Sequence, residues 1–256
     1  MKIATWNVNS IGVRLQQVLN WLADNPTEVL CLQEIKCVDE KFPAQPFREA
    51  GYFVTHYGQP SYNGVAIISL IEPHDIETGF DGDAATGQRR FLSATYNGIR
   101  VINTYFPNGQ ALDSEKFVYK LGWMKNLRHY LDARCDPNTP VALCGDFNIA
   151  PDDRDVYDPV AWAGQIHCSP QEREALQEIK DWGLVDTFRQ YQSEGGFYSW
   201  WNYREGGFRR NMGLRIDHVW ASNPLAEKCV AAWIDKIPRT WERPSDHTPV
   251  VAEFSL

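Results

Sequence analysis

Short apolar runs that end in polar residues recur along the chain, and they constrain its fold more than any other feature. Their length and β-branched content are typical of strands. Three stretches with helical spacing of apolar residues separate some of them, at residues 13–22, 117–131 and 171–182. This alternation predicts an α/β protein with mixed sheets and helices packed outside them. The predicted strands are residues 2–8, 29–33, 64–68, 91–96, 101–106, 141–144, 214–221, 229–234 and 250–254.

The size and charge of the chain narrow the classes of protein that it can belong to. Its 256 residues suit one large core, and no linker or repeat interrupts them, so we predict a single domain spanning residues 1–256. The net charge of -8 argues against a protein that coats nucleic acid through a general basic field. A local basic patch remains compatible with that charge. No feature indicates an obligate protein partner.

The cysteines and the N-terminal residues bear on the cellular compartment in which the protein is expected. The six cysteines form no C-x-x-C pair and mostly lie in apolar surroundings, which is typical of reduced thiols. The opening "MKIATWNVNS" lacks the apolar core of a signal peptide, and no stretch approaches about 18 uninterrupted apolar residues. We therefore expect a cytoplasmic location and no association with a membrane.

The polar residues at the ends of these runs are of types that hold metals and move protons. Any one of them alone is more often a turn residue, since Asx residues favour turns. Six such ends in one chain are harder to explain in that way. Asp217 is the most informative, because a carboxylate in an apolar run is costly unless it is paired, and His247 is a candidate partner. The residues are Asn7, Glu34, Tyr105, Asn108, Asp146, Asn148, Asp217, Asp246 and His247.

These residue types together predict hydrolysis of a phosphodiester. The oxygen ligands of Glu34, Asn7 and Asp246 suit Mg²⁺ or Mn²⁺, and no His/Cys cluster has zinc spacing. An Asp–His pair can hold an imidazolium against a phosphate oxygen. A further Asp, oriented by an Asn, can take a proton from water.

Seven motifs in one order resemble the exonuclease III / AP endonuclease family of DNA repair enzymes, across essentially the whole chain. They are "TWNVNS", "LQEIK", "NGVAI", "YFPNG", "GDFNIAP", "LRIDH" and "PSDHTPV". "GDFN" alone is weak, because the wider endonuclease/exonuclease/phosphatase superfamily shares it, whereas the ordered set is specific. The resemblance implies a four-layered α/β sandwich of two packed mixed β-sheets flanked by helices, with the active site at one end.

The resemblance also implies roles for individual residues. Glu34 resembles the main metal-ligand carboxylate, Asn7 lies beside it, and Asp246 resembles a supporting acid. Asp217 and His247 match the paired Asp–His, with the imidazole on the phosphate.

The remaining catalytic positions concern the attacking water. Asp146 matches the aspartate that activates or positions it, and Asn148 orients that aspartate. Tyr105 matches a tyrosine that contacts the scissile phosphate, and Asn108 lies nearby. Every matched position carries the family's residue type, which speaks against a non-catalytic relative.

Two segments, residues 197–204 and 209–217, look like the family's DNA-pocket segments. Trp200, Leu214 and Ile216 are expected to line a pocket for a flipped-out or terminal sugar, with Trp201 and Arg204 at its rim. Adjacent strand residues face opposite ways, so one of the two tryptophans is expected in the core. Candidate phosphate contacts, each also readable as an ordinary solvated charge, are Arg89, Arg90, Lys116, Lys120, Arg209 and Arg210.

His167 bears on substrate choice. It precedes the third predicted helix, in a loop that borders the abasic-sugar pocket of related enzymes, where we expect a small residue. An imidazole there would hinder entry of an internal abasic nucleotide more than that of a terminal 3′ nucleotide. The alternative is an imidazole that caps the helix or lies in solvent.

The sequence therefore leaves a leading function and three alternatives. The leading one is a Mg²⁺-dependent 3′→5′ exonuclease and 3′-end-processing phosphodiesterase on double-stranded DNA with 3′ ends, nicks or abasic sites. Abasic-site endonuclease activity as the main activity is the first alternative. A superfamily phosphodiesterase acting on lipid or inositol phosphates is disfavoured by the aromatic and basic segment 197–216. A nucleic-acid-binding regulator without catalysis is disfavoured by the intact catalytic residue set.

Overall fold

The computed structural model describes residues 1–80 and 87–256. Fourteen strands and seven helices are defined within these residues. The strands are β1 (Lys2–Asn7), β2 (Val29–Gln33), β3 (Phe53–Tyr57), β4 (Val65–Ser69), β5 (His74–Thr78), β6 (Phe91–Tyr96), β7 (Ile99–Tyr105), β8 (Val141–Asp146), β9 (Leu184–Asp186), β10 (Trp200–Trp201), β11 (Gly213–Leu214), β12 (Asp217–Ser222), β13 (Cys229–Ile234) and β14 (Val250–Phe254). The helices are α1 (Ile11–Asp24), α2 (Ala44–Glu49), α3 (Glu115–Arg134), α4 (Pro159–Trp162), α5 (Pro170–Lys180), α6 (Thr187–Tyr191) and α7 (Asn223–Ala226).

Two six-stranded sheets form the centre of the molecule. Their orders are β13-β14-β1-β2-β4-β3 and β5-β6-β7-β8-β12-β9. Each sheet has one parallel pair near its middle, β1 with β2 and β7 with β8, and antiparallel neighbours on both sides. A small third sheet pairs β10 with β11.

Three apolar clusters hold the four layers together. The first lies between the sheets and includes Val29, Ile67, Val101 and Ala142. The second packs α3 and α5 on the outer face of the second sheet, and the third packs α1 and α2 on the outer face of the first sheet. The order of layers is therefore helices, sheet, sheet, helices, which confirms the four-layered α/β sandwich. Among the described residues, no helix has both the length and the apolar character needed to span a bilayer.

Several predicted elements differ from those in the structure. The predicted strand 214–221 is wrong as a single strand, because Arg215 and Ile216 separate β11 from β12. The sequence predicts no element between the strand at 141–144 and the helical stretch at 171–182, but the structure has a 3-10 turn at Asp153–Asp155 and the short α4 there. The single domain over residues 1–256 stays a prediction.

Gly145 in "GDFN" serves close packing rather than a turn. It lies within β8, with φ of 145°, and β8 continues through Asp146. A Cβ at this position would lie 1.8 Å from the carbonyl oxygen of Thr104 on the neighbouring parallel strand. Glycine is therefore required for β7 and β8 to approach each other where the second sheet reaches the active site.

Candidate active site

The strand register brings the predicted catalytic residues to one end of the two sheets. The parallel strands β1 and β2 end together, with Asn7 paired to Gln33, the residue before Glu34. In the other sheet, Tyr105 pairs with Asp146 at the ends of β7 and β8. β12 runs the opposite way and begins at this same edge. A cleft of about 190 Å³ lies here, lined by Glu34, Tyr105, Asn108, Asp146, Asn148, His167, Trp200, Ile216, Asp246 and His247.

Asp217 and His247 form the buried pair that the sequence predicts. His247 Nδ1 lies 2.8 Å from Oδ2 and 3.1 Å from Oδ1 of Asp217. Burial alone would lower the pKa of His247, but the carboxylates of Asp217 and Asp146 outweigh it and raise this pKa to about 10. His247 is therefore an imidazolium at neutral pH, with Nε2 turned toward Asp146 at 3.7 Å from Oδ2.

Asp146 is a buried carboxylate held by two asparagines. Its Oδ2 accepts from Asn7 Nδ2 at 2.9 Å, and its Oδ1 accepts from the Asn148 backbone N–H at 2.9 Å. Burial raises the pKa of Asp146 to about 7, Asp217 and Glu34 raise it as well, and His247 opposes the shift. A carboxyl group with a pKa near the working pH is suited to accept a proton from water.

Glu34 faces the same space from the other sheet. Its Oε1 accepts from Asn7 Nδ2 at 2.8 Å, and its Oε2 lies 2.8 Å from Lys36 Nζ. Burial favours protonation of Glu34, but Lys36 and Asn7 hold its pKa below the ordinary value. Ligand atoms of Glu34, Asp146 and His247 lie within 4.8 Å of one another.

The donor set fits a hard divalent cation. Carboxylate oxygens of Glu34 and Asp146 face one space, and His247 is a charged group beside it rather than a free ligand. Asn7 contacts both carboxylates through its amide nitrogen, while its oxygen accepts from the Asn9 N–H at 3.0 Å. Its role as a ligand stays a prediction.

Asp246 lies at the edge of the cleft and is fixed by two donors. Its oxygens accept from Asn9 Nδ2 and from Trp200 Nε1, each at 3.0 Å. Burial works against ionisation, but His247 and Trp200 hold the pKa of Asp246 below its ordinary value. The position beside His247 is consistent with a supporting acid, and this role stays a prediction.

Tyr105 and Asn108 complete the side of the cleft formed by the second sheet. Burial raises the pKa of Tyr105 well above its ordinary value, so its hydroxyl stays protonated and can donate. The Arg90 guanidinium lies 4.6 Å from the Tyr105 ring centroid and donates to its carbonyl at 3.2 Å. Asn108 Nδ2 donates to Asn148 Oδ1 at 3.2 Å. Arg90, a predicted phosphate contact, is largely buried and supports Tyr105 instead.

The pocket predictions are partly corrected. Trp200 and Ile216 line the cleft, as expected. The prediction that Trp201 lies at the rim is wrong, because its side chain faces the opposite way and is completely buried, 5.0 Å from the Phe208 ring. Leu214 does not line the cleft either, since it is fully buried in an apolar cluster with Ile216. Arg204 is exposed on a 3-10 turn outside the cleft lining, so its rim position stays a prediction.

His167 lies in the wall of the cleft rather than in solvent. Its Nδ1 lies 2.6 Å from the Asn148 carbonyl oxygen, so Nδ1 carries the proton, and Nε2 faces the Asn108 amide at 3.4 Å. Burial and the positive charge of Lys120 lower the pKa of His167 to about 4. The helix cap is Ser169, which excludes the capping alternative for this imidazole.

Two further residues support the site without having been predicted. The Ser199 hydroxyl donates to Asp217 Oδ2 at 2.6 Å and accepts from the Asp217 N–H at 3.0 Å. Lys36 Nζ lies within 2.8 Å of Glu34, as described above. Neither residue type marks a site from sequence alone, because serine and lysine occur throughout ordinary surfaces and strand ends.

One phosphate-contact prediction is wrong. Lys120 is completely buried, and its ammonium pairs with Glu172 at 2.5 Å. Lys116, Arg209 and Arg210 are exposed, as a contact with DNA requires.

The fold and this site define a class of protein. A buried Asp–His pair, a second buried carboxylate and a glutamate that can hold a metal ion meet at one end of two packed sheets. This arrangement is suited to hydrolysis of phosphate esters, in which an imidazolium stabilises charge and a carboxylate accepts a proton from water.

Comparison with known proteins gives the family. Residues 4–247 match the Endonuclease/Exonuclease/phosphatase family, and the chain belongs to this family. The chain is 38% identical to Exodeoxyribonuclease III of Haemophilus influenzae, over 99% of this chain and 100% of the relative. The chain is thus a hydrolase of the exonuclease III / AP endonuclease type, which confirms the resemblance.

Solved structures agree with this assignment. The 3′ phosphatase NExo from Neisseria, bound to a product DNA hairpin, is 47% identical with a TM-score of 0.96. An AP endonuclease from Archaeoglobus fulgidus is 42% identical, also with a TM-score of 0.96. Both comparisons cover 100% of this chain and 100% of the other chain.

Proposed function

We propose that the protein is a Mg²⁺-dependent DNA repair phosphodiesterase that acts on double-stranded DNA as a 3′→5′ exonuclease and removes blocking groups, including phosphate, from 3′ ends. The observation that carries this proposal is the cleft in which the imidazolium of His247 and the carboxylate of Asp146 face each other at 3.7 Å. The similarity to a 3′ phosphatase bound to a DNA hairpin supports DNA as the substrate.

The side chains of the cleft divide the chemistry between them. Asp217 keeps His247 protonated and oriented, so that Nε2 donates to a non-bridging phosphate oxygen as negative charge develops on it. Asp146, fixed by Asn148, accepts the proton of the attacking water. The protonated hydroxyl of Tyr105 donates to the same phosphate.

Glu34 is the main residue that would hold Mg²⁺, with Asn7 and Asp246 in support, and Asp146 lies beside Glu34 in the same cleft. A bound Mg²⁺ supplies Lewis-acid stabilisation of the phosphate charge, and Mn²⁺ is expected to substitute because it accepts the same oxygen ligands.

A second candidate activity is cleavage at internal abasic sites, favoured by the 42% identity with an AP endonuclease. The position of His167 argues for a lower rate on such sites. The imidazole occupies the cleft wall between the Asn148 carbonyl and Trp200, whose ring centroid is 6.4 Å away. An internal nucleotide must be extruded with strand on both sides, whereas a 3′ terminus enters by a smaller motion. The proposed preference is therefore for 3′ ends.

Four exposed cations are proposed to contact DNA phosphates at a local footprint: Lys116 on α3, and Arg204, Arg209 and Arg210 in the pocket segments. We also propose a cytoplasmic location and a single domain over residues 1–256. The six cysteines, all free in the structure, support a reducing compartment.

One assay tests this function against its alternatives. The purified protein is stripped with EDTA and given Mg²⁺, Mn²⁺, Ca²⁺ or no metal, on matched duplexes with a recessed 3′ end, a nick, a 3′-phosphate or an abasic analogue. We expect cleavage only with Mg²⁺ or Mn²⁺, fastest at 3′ ends. Full activity after exhaustive EDTA treatment would contradict the metal dependence. Binding without cleavage would favour the non-catalytic regulator. Hydrolysis of inositol phosphates but not DNA would favour the other phosphodiesterases.

A further inference from the structure

A buried ion pair lies behind the wall of the cleft and contacts the backbone of residues that line it. Lys120 of α3 and Glu172 of α5 are both fully buried, with 2.5 Å between Nζ and Oε1. Desolvating two charges is costly, and such pairs can often be replaced by apolar residues without loss of stability. Stabilisation of the fold alone therefore does not account for a charged pair at this position.

The hydrogen bonds of the pair reach three separate loops of the cleft wall. Lys120 Nζ donates to the carbonyl oxygens of Asn148 at 2.8 Å and of Asn108 at 3.3 Å. Glu172 Oε1 accepts from the backbone N–H of His167 at 3.0 Å. Each of these three residues has a side chain that lines the cleft. The pair thus holds the backbone of three of the cleft-lining residues, Asn108, Asn148 and His167.

Close packing around the pair restricts where the Lys120 side chain and the adjacent loops can lie. Gly109, with φ of 89°, lies so close that a Cβ would be 3.1 Å from Lys120 Cδ and 2.9 Å from Ile166 Cδ1. The aliphatic part of the Lys120 side chain therefore packs closely against Gly109 in the loop after β7, next to Ile166 in the loop before α5. The second oxygen of Glu172 accepts from the Ser169 hydroxyl at 2.6 Å, which fixes the start of α5.

The cleft-lining side chains also depend on one another. The Asn148 carbonyl that accepts from Lys120 also accepts from His167 Nδ1 at 2.6 Å, and the Asn148 N–H binds Asp146. A shift of the Asn148 backbone would therefore move both the proton acceptor and the imidazole in the wall. A misplacement of about 1 Å can cost a large factor in rate.

We propose that the Lys120–Glu172 pair is a positioning element that fixes the three loops against one another and thereby sets both turnover and the preference between terminal and internal sites. The proposal rests on the proposed DNA phosphodiesterase function. Lys120 and Glu172 do not contact the substrate themselves. They position Asn108, Asn148 and His167, which line the cleft.

A graded pair of variants tests the proposal. Glu172→Gln keeps the size of the side chain but has one acceptor oxygen, which can serve either the His167 N–H or the capping contacts with Ser169, not both. The double variant with Lys120→Met removes both charges, so that neither is left buried and unpaired, and removes the donor to both asparagine carbonyls. The control variant, Arg100→Met with Glu77→Gln, removes an ion pair of 3.2 Å between β7 and β5 of the second sheet, at the end of β7 remote from Tyr105.

The measurements are kcat and KM on a 3′-recessed duplex and on an internal abasic-analogue duplex, with thermal unfolding recorded for each protein. We expect the double variant to lose about tenfold in kcat with KM changed less than about threefold, and the ratio of kcat/KM between the two substrates to shift at least about threefold. Glu172→Gln alone should show a smaller shift in the same direction. The control should lose stability without moving the ratio.

Hydrogen exchange provides a readout that needs no substrate. Amides of Ala150, which donates to the His167 carbonyl, and of His167 should exchange faster in the double variant but not in the control. A double variant with kcat and ratio within about twofold of wild type and unchanged exchange overturns the proposal, as does an equal ratio shift in the control. If the wild-type protein shows no metal-dependent cleavage, the proposed function fails, and the exchange comparison still decides whether the pair positions the loops.

Discussion

Replacing Asp217 by Asn should convert a nearly pH-independent catalytic group into a pH-dependent one. The new amide would keep the shape of the side chain and an oxygen for His247 Nδ1, but it would remove the negative charge. Burial lowers the pKa of His247, Asp217 is the largest of the influences that raise it, and Asp146 is the next. In the variant, burial would be opposed mainly by the more distant Asp146.

The size of the effect follows from the pKa values. A rise from the ordinary 6.5 to about 10 corresponds to about 5 kcal/mol in favour of the imidazolium. Without Asp217 we expect the pKa of His247 to return to about 6.5 or below. The imidazole would then be about three-quarters charged at pH 6 and about 1% charged at pH 8.5. If only the imidazolium stabilises the phosphate, kcat relative to wild type should fall by only about 1.3-fold at pH 6 and by about 100-fold at pH 8.5.

The assay measures kcat of Asp217→Asn and wild type on a 3′-recessed duplex from pH 6 to 9, at saturating Mg²⁺. NMR titration of the histidine side chains follows the protonation of His247 directly. His247→Gln is the control, because it lacks an ionisable group and its defect should not vary with pH in this way. A defect of equal size at pH 6 and pH 8.5, or a His247 that stays cationic at pH 8.5 in Asp217→Asn, would refute the reasoning.

Three further predictions concern the base, the pocket and the DNA footprint. Asp146→Asn should fold as wild type and abolish turnover, because an amide cannot accept the proton of water; single-turnover rates within about threefold of wild type would contradict this. His167→Gly or His167→Ser should raise the rate at an internal abasic analogue and leave the rate at a recessed 3′ end nearly unchanged, whereas equal effects on both duplexes would place the imidazole outside the substrate path. Binding of DNA by Asp146→Asn, followed by fluorescence anisotropy, should weaken with salt with a slope of about −3 to −4, as expected for a few phosphate contacts, and a slope near −10 would exclude a local footprint.

The central strands could be predicted from sequence because both of their faces are buried. β2, β6 and β14 have the predicted bounds, and most of their residues are apolar and buried. The edge strand β13 also has its predicted bounds, because its residues are apolar although they are only partly buried. The strands that were missed lie at sheet edges or are very short. β3 (FVTHY) and β5 (HDIET) show neither a continuous apolar run nor regular alternation of polar and apolar residues, and they are half-exposed or exposed, so their sequence does not differ from that of a loop.

Which residues belong to the site could be predicted from the sequence. Which of them are buried, and which way their side chains face, could not. Polar residues at strand ends identify an edge of a sheet, and the motifs assign them to types of chemistry. The orientation of Trp200 and Trp201 depends on which of two adjacent positions faces the cleft, which the antiparallel pairing with β11 decides. The burial of Lys120 depends on the packing of α3 against α5, and helical spacing alone does not distinguish a buried lysine from an exposed one.

The balance of charge in the cleft explains how an acidic protein can act on a polyanion. Four carboxylates, those of Glu34, Asp146, Asp217 and Asp246, surround the two cations of His247 and Lys36. With all groups ionised the sum is four negative and two positive charges, or -2, and this excess adds to burial in raising the pKa of Asp146. A divalent cation held by Glu34 would offset the excess and favour ionisation of Asp146. The same ion would make the cleft receptive to a phosphate. The acidic cluster is therefore compatible with DNA as substrate because its charge matches that of one divalent metal ion.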